Sequence, residues 1–348
     1  MTDDMTRQRI ALVGLVVLVL GVAVAGVATM RLVARWEAPH RGFPTAEVFV
    51  QISPGSGALA IAGQLVESGV VQDEWAFRYA LWKTNLGREL KAGEYRFDQP
   101  LSASQVVSKI ARGDVHLRPL MFPEGLTVSA MASVFRRSDF GTAEEFLAAS
   151  QRVELIASLD PEASDLEGYL FPDTYLLPRT ITADQLVERM VVRFKQAFGE
   201  PLLQQAGEAG LSVREVVTLA SLIERETALA EERPVVGAVY LNRLKIGIAL
   251  RCDPTVIYAL ERAGLYEGNL TRANLTYDSP YNTYLYSGLP PGPIAAPGLA
   301  SLEAAVKPAD VGYLYFVSRN DGSHVFASSL REHNRNVRAY QIQFFRER

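Results

Sequence analysis

The stretch LASLIERET, Leu219 to Thr227, decides how the rest of the chain is read. It continues a helical pattern that opens at Ser212 and Glu215, a capping-box pair, and it is nearly all apolar yet carries two carboxylates, Glu224 and Glu226. Ionisable groups on such a helix are costly unless paired or left protonated. A carboxyl that keeps its proton is also what acid-catalysed bond cleavage requires. A helical wheel drawn from Glu224 puts Val213, Val217 and Ala220 within about 40° of it, at about 100° per residue. Glu226 falls near the opposite side, beside Glu215, although Leu219 and Leu222 flank that side too. The wheel leans toward Glu224 as the desolvated carboxyl, raised above an ordinary value of about 4.3, without settling the choice. The plainer alternative is that both glutamates pair with arginines such as Arg225 and Arg243.

Around this helix the pattern mixes helices with a few short strands. Leu186, Met190, Phe194 and Phe198 recur every four residues and predict an amphipathic helix whose role is core packing. Asp253 before Pro254 predicts the N-cap and first position of a further helix. Tyr313–Val317, the turn Asn320-Asp321-Gly322, and His324–Phe326 read as a hairpin, with a last helix from about Leu330. This region, residues 117–348, is of α+β class.

Toward the N-terminus a smaller module occupies residues 47–113. Val48–Ile52 reads as a strand, followed by a helix with Ile61, Ala62 and Leu65 on one face, then by a second helix capped by Asp73. Gly93–Phe97 reads as another strand, and Ser102 with Gln105 caps a third helix. The order of strand, helix, helix, strand, helix resembles a LysM-like glycan-binding module with an extra helix; a plain support domain fits the same pattern. Pro39, Gly42 and Pro44 mark residues 31–46 as a linker. Ile10–Met30 carries no charge, and its roughly 21 residues would span about the hydrocarbon core of a bilayer. A short tail, residues 1–9, precedes it. Arg7 and Arg9 before the run and Arg31 and Arg35 after it leave its orientation open. Ala23-Val24-Ala25 offers a signal-peptide cleavage site, but the apolar run continues past it, which favours an uncleaved anchor.

Composition narrows the function classes. The 348 residues are 48% hydrophobic and 21% charged with net charge -4, an ordinary globular balance with no basic stripe for nucleic acid. One cysteine, Cys252, excludes an internal disulfide. The four histidines fall at no metal-ligand spacing, so neither a metal nor a cofactor is expected.

Six blocks, taken together, resemble one family. They are FPEGLT (Phe122–Thr127), EGYLFPDTY (Glu167–Tyr175), ASLIERET (Ala220–Thr227), YLNRLKIGIALRCDPTVIY (Tyr240–Tyr258), SPYNTYLYSGLPPGPIAAPG (Ser279–Gly298) and YLYFVSRNDGSHVFASSLREHN (Tyr313–Asn334). In this order, behind one apolar helix, they are similar to the YceG-like family of endolytic murein transglycosylases. The resemblance implies a single-pass protein of the bacterial inner membrane with its soluble part in the periplasm. It also implies peptidoglycan glycan strands as substrate and peptidoglycan synthases as neighbours. The family's catalytic glutamate is carried onto Glu224, with Glu226 as a supporting residue of the cleft. Glu167, Arg243, Tyr281, Asn282 and Tyr284 are expected to bind substrate, with Arg243 orienting a carboxylate and the tyrosines offering flat faces to sugar rings.

The implied reaction is cleavage of the bond between N-acetylmuramic acid and N-acetylglucosamine. One glutamate, Glu224, donates a proton, and the sugar's own C6 hydroxyl, deprotonated by the same glutamate, then captures the carbon and leaves a 1,6-anhydro end. Such an intramolecular group can have an effective molarity of about 10⁵ M or more. Two other readings remain at this stage. A muramidase would use a second carboxylate, Glu226 or Glu167, and a wall-binding scaffold would use none.

Overall fold

The computed structural model of the chain describes residues 2–344; Met1 and residues 345–348, the outer ends of the expected tail and catalytic region, lie outside it. The chain forms two compact units. One is built from the residues up to Arg118 together with the short segment Leu177–Thr180, the other from Pro119–Leu176 and the residues after Thr180.

In the first unit, α1 (Thr2–Glu37) contains Leu12–Glu37, whose most apolar 18 residues have a mean hydropathy of 2.7; the large apolar side chains from Leu12 to Met30 are exposed. It is long and apolar enough to cross a membrane. The helix starts before the expected span and runs past it, so the expected linker begins as helix. Residues 31–37 contain no breaker, and Pro39 and Gly42 come only after them. The last turn is also tied down: Trp36 packs on the unit's core, and Glu37 takes Lys83 at 3.0 Å and the Ser104 hydroxyl at 2.8 Å.

Next come β1 (Val48–Ile52), α2 (Ala58–Glu67), α3 (Glu74–Thr84), β2 (Gly93–Phe97) and α4 (Ala103–Arg112), in the order the pattern predicts. The two strands pair antiparallel with Val50 opposite Tyr95, and Val50, Ile52, Tyr95 and Phe97 are buried against the helices. Asp73 caps α3 and the Ser102–Gln105 box caps α4, each satisfying backbone N–H groups that the helix leaves unpaired. Glu94, on β2, is buried but lies 3.3 Å from both Arg118 and Arg179, which compensate its charge. The LysM resemblance extends no further than this order of elements.

The second unit is largely helical: α5 (Val128–Arg137), α6 (Ala143–Ala149), α7 (Ala183–Ala209), α8 (Val213–Glu226), α9 (Arg233–Lys245), α10 (Asp253–Arg262), α11 (Leu299–Val306) and α12 (Leu330–Val337). β3 (Leu117–Met121) pairs with β4 (Thr174–Pro178), and β5 (Tyr315–Ser318) pairs antiparallel with β6 (His324–Ala327). The predicted amphipathic helix is α7, which breaks at Gly199, where φ is 46° and Pro201 follows. Helix α10 has Cys252 as its N-cap, with Asp253 already in the first turn, one residue from the expected phase.

At the centre lies α8, against which α7, α9, α10 and α11 pack. Every residue from Val216 to Ile223 is buried. Two close approaches fit this packing to its neighbours. A side chain at Gly237 of α9 would put Cβ 2.8 Å from the Ala304 carbonyl of α11. Gly168, at φ +81°, lets the chain pass where a Cβ would lie 2.5 Å from Pro293 and 3.0 Å from Val217. The class is mixed helix and strand, as expected.

Candidate active site

Helix α8 delivers both glutamates at its C-terminal turn, where the buried helix leaves the core. Because the stretch of α8 ahead of the two glutamates, Val216–Ile223, is buried all round, the wheel cannot rank the two. Their surroundings differ.

Glu224 faces inward to a set of donors. Its Oε1 lies 3.3 Å from Arg233 Nη2, and its Oε2 accepts from the Gly298 N–H at 3.0 Å and the Ser301 hydroxyl at 2.7 Å. Arg233 also lies 3.7 Å from Glu124. Burial and the neighbouring Glu224 push the Glu124 carboxyl up, while Arg233 pulls it down. These contacts join the ends of α8, α9 and α11, and Glu224 is absent from the walls of the cavity described next.

Glu226 opens on a cavity of about 620 Å³. The walls come from α9 (Arg243), the loop before α10 (Ile248–Arg251), the start of α10 (Asp253), the β5–β6 hairpin and α12. Burial pushes the Glu226 carboxyl above its ordinary value, against the pull of a hydrogen bond from the Tyr240 hydroxyl, which donates to Oε1 at 2.6 Å. The Cys252 thiol also contacts this carboxyl. Burial holds that thiol well above its usual range, so it is not a ready nucleophile.

The cavity brings together Glu226, Arg243 and Tyr284 of the expected residues. Arg243 spends Nε on the Leu314 carbonyl and Nη1 on the Leu250 carbonyl, both at 2.6 Å, and lies over the Tyr315 ring. Neither bond goes to a carboxylate, so its observed work is to tie the hairpin to the loop before α10. Tyr284 donates to Asp253 Oδ1 at the cavity edge.

Besides Glu224, three expected residues lie elsewhere. Asn282 is fully buried; its amide donates to the Leu275 and Tyr277 carbonyls and accepts from the Tyr284 N–H, so its observed bonds hold the loop. Tyr281 packs on Tyr258 beside Arg262. Glu167 lines a second cavity of about 600 Å³ with Thr127, Tyr258 and Arg262, and it accepts from the Val128 N–H at the start of α5. Burial pushes its carboxyl up to about 8, against the pull of that N–H. The sequence reading missed Asp253, Arg251, His324 and His333 as lining residues. His324 and His333 were within reach of it: both fall in the YLYFVSRNDGSHVFASSLREHN block that carried the resemblance, but His324 was read only as strand.

A family profile described as the YceG-like family matches residues 50–339. A relative from Bacillus subtilis (strain 168) named endolytic murein transglycosylase is 31% identical over 308 residues, covering 84% of each chain. A Streptococcus pneumoniae relative of the same name is 32% identical over 322 residues; the match covers 83% of this chain and 58% of that protein. A crystal structure of a yceG-like protein from Listeria monocytogenes matches with TM-score 0.57 and 30% identity, over 83% of this chain and 99% of that one. On this agreement of profile, sequence and fold, the chain belongs to the YceG-like family.

Proposed function

We propose that this chain is an endolytic lytic transglycosylase of peptidoglycan, with Glu226 as its proton donor. The observation that carries the assignment is the state of Glu226, a carboxyl raised by burial that still opens on a cavity large enough for sugar rings. The activity named for the Bacillus subtilis and Streptococcus pneumoniae relatives supports the substrate. Protonated Glu226 donates to the glycosidic oxygen between N-acetylmuramic acid and N-acetylglucosamine. The oxocarbenium-like carbon is captured by the C6 hydroxyl of the same sugar, whose proton passes to a base in the cleft. A 1,6-anhydro end results. Glu224, expected from sequence to be the donor, serves in this reading as the anchor of Arg233 and the α11 N-terminus.

Helix α1 holds the enzyme in the bacterial inner membrane, with the residues that follow it on the periplasmic side. There, beside the peptidoglycan synthases, cutting nascent strands terminates their elongation. The β1–β2 unit contributes glycan binding. One observation favours a second reading: Asp253 lines the same cavity, and a second carboxylate is what a hydrolytic muramidase needs. Digestion of uncrosslinked glycan strands with mass analysis of the new ends tests the proposal. Anhydro ends support transglycosylation, whereas hydrated reducing ends replace it with hydrolysis.

A further inference from the structure

The chain has three tryptophans, and all of them gather on two neighbouring helices of the first unit. Trp36 stands in the last turn of α1, and Trp75 and Trp82 are on α3. A ladder of rings joins the helices: Trp36 meets Tyr79 at 5.4 Å between centroids, and Tyr79 meets Trp82 at 5.9 Å. The Arg78 guanidinium lies over the Trp75 ring at 4.6 Å. At about 100° per residue, Trp75, Tyr79 and Trp82 fall within about 60° of one another and make a single stripe along α3. The opposite face carries Ala76, Phe77 and Ala80, which are buried in the unit's core. The stripe faces outward, with Trp75 62% exposed and Trp82 78% exposed. Large aromatic rings side by side at this exposure form a surface that is costly to leave in water and marks an interaction site.

The position of α3 identifies what covers it. Both ends of α3 are tied to the last turn of α1. Ahead of its N-cap, Gln72 accepts from Arg35 Nε at 3.0 Å and donates to the Arg35 carbonyl at 3.1 Å. In its last turn, Lys83 meets Glu37 at 3.0 Å. Leu12–Glu37 is the stretch long and apolar enough to cross a membrane, and its apolar run ends between Met30 and Val33. A helix rises about 1.5 Å per residue, so Trp36 stands about 5–9 Å beyond that end. The headgroup layer is about 5–8 Å deep on each face of a bilayer. The ring ladder therefore starts at the depth where Trp and Tyr, apolar in body and polar at the tip, are enriched in membrane proteins. Arg31, Arg35 and Arg78, exposed on the same two helices, suit the phosphates of that layer.

We propose that α3 is a membrane-surface helix whose Trp75–Tyr79–Trp82 stripe lies in the phospholipid headgroup layer of the leaflet from which α1 emerges. This rests on the membrane reading of α1 and not on which glutamate cleaves the glycan. The first unit is then held to the bilayer at two places, by a spanning helix and by an aromatic face, so it does not swing freely on α1.

The test uses the full chain reconstituted in vesicles of phosphatidylethanolamine and phosphatidylglycerol. Every tryptophan of the chain lies on these two helices, so the emission carries no background from elsewhere. Trp36→Phe/Trp75→Phe leaves Trp82 as the one emitter. Its emission is expected to move to shorter wavelength than that of free tryptophan in water. Vesicle phospholipids brominated near the headgroup should quench it more than phospholipids brominated near the chain end. Emission at the free wavelength with no quenching by either lipid overturns the proposal, and stronger quenching from the chain end overturns it by placing Trp82 in the hydrocarbon core. Should the variant fail to fold, the difference between wild type and Trp75→Phe/Trp82→Phe, both of whose changes are at exposed positions, isolates the α3 signal. A difference quenched by the headgroup-brominated lipid supports the proposal, and an unquenched one overturns it. A wild-type chain that does not float with the vesicles fails earlier, at the membrane reading of α1, and the proposal falls with it.

Discussion

Glu224→Gln removes the charge that Arg233 faces in the interior of the second unit while keeping a side chain of the same shape. The Arg233 side chain is 10% exposed and that of Glu224 6%, so solvent does little to screen the change. Breaking a buried pair by removing one partner typically costs about 3–5 kcal/mol, because the remaining charge stays desolvated. Here Glu124 lies 3.7 Å from Arg233, but its side chain is 48% exposed, so it offsets only part of the loss. The amide oxygen of glutamine still accepts from Gly298 N–H or Ser301, which keeps the α11 end attached. The expected cost is then near the lower end, about 3 kcal/mol. For a unit of roughly 200 residues this lowers the melting temperature by about 6–12 °C. Thermal unfolding of the full chain in detergent, followed by circular dichroism, measures it. Glycan cleavage at a temperature where the variant is folded should remain within tenfold of wild type. A Glu224→Gln protein with unchanged melting and no cleavage would refute the reasoning and return the proton-donor role to Glu224.

Further outcomes follow from single contacts. Tyr240→Phe removes the donor that pulls the Glu226 carboxyl down, so the alkaline limb of the pH–rate profile should move to higher pH; a limb that stays or moves down contradicts the assignment. Gly168→Ala forces a Cβ against Pro293 at a positive φ and should destabilise the second unit by about 1–3 kcal/mol or more, read by denaturant unfolding. Glu232 has a folded-state pKa below its unfolded one, so its stabilisation is present above the unfolded pKa and lost as pH falls through the folded one. Glu232→Gln should flatten the acid side of the stability–pH curve, and an unchanged curve argues against that pairing.

Much of the fold was legible because local signals and packing agree. The Asp73 cap, the Ser102 and Ser212 capping boxes, the strands at Val48 and Gly93 and the hairpin into His324 all form where their residues place them. The site was only partly legible. A wheel distinguishes a wet face from a dry one, and α8 is buried all round from Val216 to Ile223, so Glu224 and Glu226 are separated only by partners remote in sequence. Arg233 and Ser301 draw Glu224 away from the cavity, and Tyr240 with the hairpin encloses Glu226. Asn282 poses a related difficulty. A polar amide in a loop can serve a ligand or the loop itself, and its burial and its bonds to the loop carbonyls are visible only in the fold.

The most direct test of the account compares wild type with Glu226→Gln on purified, uncrosslinked glycan strands, each at matched folded fraction. The account predicts 1,6-anhydro ends from wild type and none from the variant, which should melt no lower because it no longer carries an ionisable group that burial disfavours. Anhydro ends formed at a near-normal rate by Glu226→Gln would contradict it.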